Sequence, residues 1–150
     1  MSYETFAKAL KSTIDFNAKQ LADELDLPFL DLSDIAIDPA VIDSDQPAIC
    51  WELDSIEEYP IDPLWSADFD IGAMTILDPS QYTSFGISGA IANKFKKGVS
   101  YEIFDYSGAT VPTQSEGRFF VTHCGTTPQQ QDQLTNLRFV SVSIRATRNV

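Results

Sequence analysis

The chain has 150 residues, 43% of them hydrophobic and 11% aromatic, which is one domain's worth of sequence with ample material for a core. That composition excludes wholesale disorder, and no run approaches the roughly 18 apolar residues a membrane-spanning helix needs. The net charge is −12, a sign that argues against stable nucleic-acid binding, which draws on Lys and Arg.

The first element is an amphipathic helix over 3–25. Phe6, Leu10, Ile14, Ala18, Leu21 and Leu25 recur every three or four residues, and the charged side chains lie mostly off that stripe. Ser2 is a candidate N-cap, and Pro28 cannot continue the helix. The opening Met1-Ser2-Tyr3-Glu4 has neither a basic nor an apolar leader segment, so cytoplasmic synthesis is the expectation.

Residues 28–47 form an acidic connection, with Asp31, Asp34, Asp38, Asp43 and Asp45 alternating with apolar residues between prolines. A short edge strand near Ala36 is compatible with it. Strands are then expected at 48–53, with Ile49, Trp51 and Leu53 opposite Cys50 and Glu52, and at 67–77, with Phe69, Ile71 and Ala73 opposite Asp68 and Asp70. An antiparallel pair is the economical arrangement.

A second helix is signposted by Asp78 and Pro79 at its start and by Gly98 beyond its end, after Lys94, Lys96 and Lys97. Tyr82, Phe85, Gly89, Ala92 and Phe95 make a stripe at helical spacing. Gly86 and Gly89 each weaken a helix by roughly 1 kcal/mol relative to Ala, so close backbone packing is the expected reason for them; a start as late as Ser88 is the alternative. Further strands are expected at 99–106, 118–124 and 137–147. The last alternates Phe139, Ser141 and Ser143 against Val140, Val142, Ile144 and Ala146, and residues 125–134 read as a polar loop or short helix. The order is α+β: a single domain over 1–150 with a mostly antiparallel, mixed sheet and two helices packed on one of its faces.

Residues that could carry chemistry do not form a constellation. From Asp68, a calcium loop would need an oxygen ligand at its fifth position and a glutamate at its twelfth, which here are Gly72 and Pro79. Gly86-Ile87-Ser88-Gly89-Ala90, followed by Asp105 and His123, nearly matches a nucleophile elbow, but it ends in Ala and follows an Asp-Pro where a strand is required. His123 and Cys124 are adjacent and, on a strand, point to opposite faces; Cys50 could still approach His123 in space. Cys50 and Cys124 read as buried small hydrophobes. No enzyme activity, catalytic residue, cofactor or metal is expected.

The charge is segregated along the chain. Residues 1–78 hold three lysines against 18 acids, a net −15, and residues 79–150 hold seven basic residues against four acids, a net +3. This is either a solvated acidic face or a pair of complementary surfaces. On the second reading the subunit interface joins Asp31, Asp34, Asp38, Asp43 and Asp45 of one copy to Arg118, Arg138, Arg145 and Arg148 of another.

The layout of an opening helix, two strands around an acidic connection, a helix ending "NKFKKG", the strand "VSYEIFDY" and the closing "LRFVSVSIRATR" resembles the tail-terminator family of long-tailed bacteriophages, together with related head–tail completion and minor tail proteins. The resemblance implies a homo-oligomeric, usually hexameric ring that caps the tail tube and joins it to the head. Its partners would be the tail-tube and head–tail connector proteins, and DNA would pass through an acidic lumen without being held. It also implies a location in the virion tail, with host cytoplasm as the place of assembly. The other reading of an acidic domain of this size is an inhibitor or immunity-type protein that mimics DNA and binds a basic enzyme.

Overall fold

The structure, a computed structural model, describes residues 3–31, 47–58, 64–75, 81–127, 130–132 and 135–149. Helix α1 covers Tyr3–Glu24. It buries Phe6, Leu10, Ile14, Ala18 and Leu21, as the apolar spacing dictates. It stops before Pro28: Asp26 adopts the left-handed conformation at φ 55°, and the Leu27 amide donates back to the Ala22 carbonyl at 2.9 Å, closing the last turn. Leu25, expected on the buried stripe, sits in that exit and is 39% exposed. The candidate caps Ser2 and Asp78 lie outside the described residues, as do Pro79 and the edge strand near Ala36.

The strands are β1 (Phe29–Asp31), β2 (Ala48–Glu58), β3 (Leu64–Thr75), β4 (Ser100–Ile103), β5 (Gly117–Thr126), β6 (Gln130–Asp132) and β7 (Thr135–Arg148). They form one sheet in the order β1-β2-β3-β7-β5-β4, with β6 also paired to β7. Among the described residues only β1–β2 is parallel, and the other pairings are antiparallel. The fold is α+β with a mixed sheet. β3 and β7 are the long central strands, in continuous register from Leu64↔Thr147 to Thr75↔Asn136. The stretch expected to be a loop or short helix supplies β6, which pairs with β7 from Gln130↔Leu137 to Asp132↔Thr135.

Helix α2 covers Tyr82–Lys94 and ends at Phe95, with Gly98 beyond it at φ 92° and donating its amide to the Val121 carbonyl at 2.9 Å. The helix begins well before Ser88. Both helices lie on the same face of the sheet. Phe6 of α1 meets Trp65 at 4.8 Å between ring centroids, and Phe95 at the end of α2 meets Phe69 at 5.5 Å, edge-on. Trp65, Ala67, Phe69, Ile71 and Ala73 alternate onto that inner face, joined by Val140, Val142, Ile144 and Ala146 of β7, and all of them belong to one buried cluster with both helices. The outer face of the sheet carries the other alternation, which includes a small buried apolar group of Ala48, Cys50 and Met74 at one end.

Candidate interaction surfaces

The outer face gathers carboxylates. Glu52 pairs in register with Asp70, and Ser55 with Asp68, across a bulge between Leu53 and Ser55 that holds Asp54. The extra residue leaves Asp54 unpaired beside its neighbours. Its carboxyl is pushed up to about 6, first by desolvation, then by repulsion from Asp70 and a hydrogen bond shared with it, and further by Glu52 and Asp68. β7 answers with hydroxyls: Ser143 donates to Asp68 Oδ1 at 2.6 Å and Ser141 to Asp70 Oδ1 at 2.7 Å. His123 is exposed and pairs with Ser143, which places it two strands from Asp68. Among the described residues no three His, Cys, Asp or Glu side chains converge in a way that would hold a metal ion.

The inner side carries the lysines. All six lysines of the chain, Lys8, Lys11, Lys19, Lys94, Lys96 and Lys97, lie on α1, on α2 or just after α2. Lys94 Nζ donates to Gln20 Oε1 at 3.4 Å and joins the two helices. Lys11 bridges to Asp31 at 3.1 Å and lies 5.1 Å from the Trp51 ring. Next to it, Phe16 stacks flat on Tyr106 at 4.1 Å. Two hollows of about 420 and 410 Å³ flank that aromatic pair, one under Val111 and Pro112 and the other beside the α1 lysines.

Helix α2 is turned the other way from its expected orientation. Its buried residues are Ser84, Ile87, Ser88 and Ile91, whereas Tyr82 is 80% and Phe85 54% exposed. Of the expected stripe, only Phe95 is buried. Gly86 and Gly89 are also exposed, and a Cβ added at either would meet nothing within 4 Å. Packing inside this chain therefore does not explain them. Ser88 sits in mid-helix, 3% exposed, with its hydroxyl unpartnered. A nucleophile elbow requires an exposed serine on a strand-to-helix turn, and this serine is neither exposed nor on a turn.

Beneath α2 lies Arg138, only 6% exposed. It donates to Gln81 Oε1, to Ser84 Oγ at 3.4 Å and to the Thr127 carbonyl at 3.4 Å, and its guanidinium stacks 4.1 Å from the Phe85 ring. Gln81, just before the helix, is left-handed at φ 63°. A planar cation with five donors can tie a helix start to two strands in this way.

Of the residues nominated for an interface, Arg118 and Arg145 come together on the outer face of β5 and β7, with Arg148 next to them at the end of β7, whereas Arg138 and Asp31 lie apart. Arg138 is an internal tie under α2 and is not available to a neighbour. Asp31 is bonded to Lys11 of its own chain. Arg118 pairs with Glu102 at 3.3 Å across β4–β5 and donates to Ser100 Oγ at 3.1 Å. Arg145 is exposed on the outer face and Arg148 is half-buried at the end of β7; each has a partner within the chain. Asp34, Asp38, Asp43 and Asp45 lie outside the described residues.

Both cysteines are free thiols. Cys50, fully buried on the outer face, donates to the Gly72 carbonyl at 3.6 Å, and burial pushes its thiol up to about 12. Cys124 packs against the inner core, and burial raises its thiol as well. Cys50 does not approach His123. The register separates them by four residues along the strands and three strands across, roughly 13 Å by 14 Å.

No helix among the described residues is long and apolar enough to cross a membrane. No family model matches the sequence, and no curated protein matches it. A solved structure does match, with a TM-score of 0.63 over 100% of this chain and 99% of the other, at 8% sequence identity. At that identity the likeness is one of fold, and it extends over the whole length of both chains.

Proposed function

We propose that this protein is a structural subunit that assembles head to tail into a ring, acting as a tail terminator that caps the tail tube of a long-tailed bacteriophage and joins it to the head. The observation that carries the reading is the separation of the lysines from a cluster of outer-face carboxylates. The lysines occupy the helical layer, and the mutually repelling carboxylates Glu52, Asp54, Asp68 and Asp70 occupy the opposite side of the sheet. A head-to-tail contact joins two different surfaces of identical copies, and it closes into a ring when the rotation between copies permits. The element order supports the phage reading through the family resemblance. The tail-tube and head–tail connector proteins are then the partners, the virion tail the location and the host cytoplasm the place of assembly. An acidic ring interior repels phosphate, so DNA passes without being held.

Light scattering and negative-stain microscopy of the purified protein, alone and with tail-tube protein, test this reading. Rings of a fixed number of copies are expected. A chain that stays monomeric at every concentration, with or without tube protein, sinks it.

One observation favours a second reading, an acidic inhibitor that mimics DNA. Four carboxylates stand on a rigid sheet face, where a basic enzyme could bind them in place of phosphates. Recovery of a nuclease in a pull-down, lost on replacing Asp68 and Asp70 with Asn, would establish it.

A further inference from the structure

Helix α2 has a solvent side that its own fold does not require. At about 100° per residue, Tyr82, Phe85, Gly86, Gly89 and Asn93 fall within roughly 60° of one line along the helix. All five are exposed. Lys96 and Lys97, also exposed, follow at its C-terminal end, and Lys94 is half-exposed. A helix that covers a sheet ordinarily turns its aromatics inward and its serines outward. Here Ser84, bonded to Arg138, and Ser88 are buried, while Tyr82 faces out and Phe85 is half-exposed beyond its stack on Arg138. The two glycines weaken the helix, yet each has open space above it. What they provide is bare backbone on the outward line, where another surface can come close.

The charge pattern identifies that other surface. Residues 81–99 contain three lysines and no acid, and residues 47–75 contain acids and no base. The lysines lie on the helical side, and Glu52, Asp54, Asp68 and Asp70 lie on the other side of the sheet, which they share with Arg118 and Arg145, so these lysines cannot reach these acids within a single copy. We infer that the outward face of α2 docks on a second copy of this chain, with Lys94, Lys96 and Lys97 against the outer-face carboxylates Glu52, Asp54, Asp68 and Asp70, and with the glycine line letting the two backbones approach. This contact rests on the ring reading and gives it an interface. It also replaces Arg118 and Arg138 as the basic side, since Arg118 is already paired with the Glu102 carboxylate and Arg138 is buried under α2. Each copy keeps one face of each kind free for the next, which is the heterologous arrangement a ring needs.

Two charge-reversed chains make the test, K94E/K96E/K97E and D68K/D70K, each checked for folding by circular dichroism. Each is expected to lose self-association by tenfold or more, measured by sedimentation velocity, and an equimolar mixture is expected to associate again. A third variant, Gly89→Leu, separates docking from folding, because a side chain there enters open space. It is expected to melt no lower than the wild type while association falls at least tenfold. If the reversed-charge chains and Gly89→Leu all form rings as the wild type does, the inferred contact is wrong and the ring reading stands. If the wild type never forms rings, the ring reading falls and takes this contact with it. If the wild type instead retains duplex DNA through the same three lysines without self-associating, the face is a nucleic-acid site and the inference is overturned.

Discussion

The two helices rest on the same face of the same sheet, and they use their side chains in opposite senses. α1 buries Phe6, Leu10, Ile14, Ala18 and Leu21, with Thr13 and Asn17 beside them, and leaves Lys8, Lys19, Asp23 and Glu24 in solvent. α2 buries two serines beside Ile87 and Ile91 and leaves Tyr82 and Phe85 outside. The apolar core accounts for the stripe of the first helix. For the second, the core takes the isoleucines and Arg138 takes Ser84 and one side of Phe85, which leaves Tyr82, Gly86 and Gly89 exposed.

Matched truncations should break this symmetry most. Leu10→Ala removes a fully buried side chain from α1 and is expected to cost about 2–5 kcal/mol in urea unfolding. Phe85→Ala on α2 removes a half-exposed ring whose main contact is the Arg138 guanidinium, and should cost about 1 kcal/mol. Equal losses would mean that α2 is held by its aromatics after all. A glycine pair gives the next effect, with opposite signs. At Gly72 a Cβ would meet the Arg138 carbonyl oxygen at 2.5 Å and the Phe139 ring at 2.8 Å, so Gly72→Ala should destabilise by about 1–3 kcal/mol. At Gly86 nothing stands in the way, and Gly86→Ala should stabilise by about 1 kcal/mol through helix propensity.

Ser88→Ala comes next. The buried hydroxyl has no hydrogen-bond partner, so its removal relieves a desolvation cost and should raise stability by about 1 kcal/mol in the same unfolding assay. A loss of stability would show that the hydroxyl is satisfied in solution.

How far this was legible in the sequence follows from the kind of signal each element carries. α1 and β7 were readable because burial alone dictates their periods, 3.6 and 2, and nothing competes. The orientation of α2 was not. Two stripes share that helix, and the stronger apolar one, Tyr82 and Phe85, is the one turned outward. Arg138 looked like a surface cation because its partners Gln81, Ser84 and Thr127 are remote in sequence or carry no charge. Asp68 and Asp70 could be paired by strand alternation. Their approach to Asp54 depended on a bulge, which a regular alternation cannot reveal. Charge counted along a chain likewise does not say on which layer it falls, and Arg138 falls beneath α2.

The smallest effect expected is a slope of stability with pH, and it compares the two faces of the sheet. Among the described residues no carboxylate is buried on the inner face. On the outer face Asp54 has a carboxyl raised to about 6 by desolvation and by repulsion from Asp70, Glu52 and Asp68. A group whose folded pKa exceeds its unfolded value takes up a proton on folding, so its contribution is fully present below about pH 4 and is lost as pH rises through 6. The melting temperature should therefore fall modestly between pH 4 and pH 7, over the window where Asp54 ionises. Asp54→Asn should flatten that segment of the profile, while Asp105→Asn should not, because Ser107 hydrogen bonds hold the Asp105 carboxyl below its usual range. A profile unchanged by Asp54→Asn would mean that the four carboxylates are too well hydrated to repel one another. The outer face would then lose its claim to be the charged half of a docking pair.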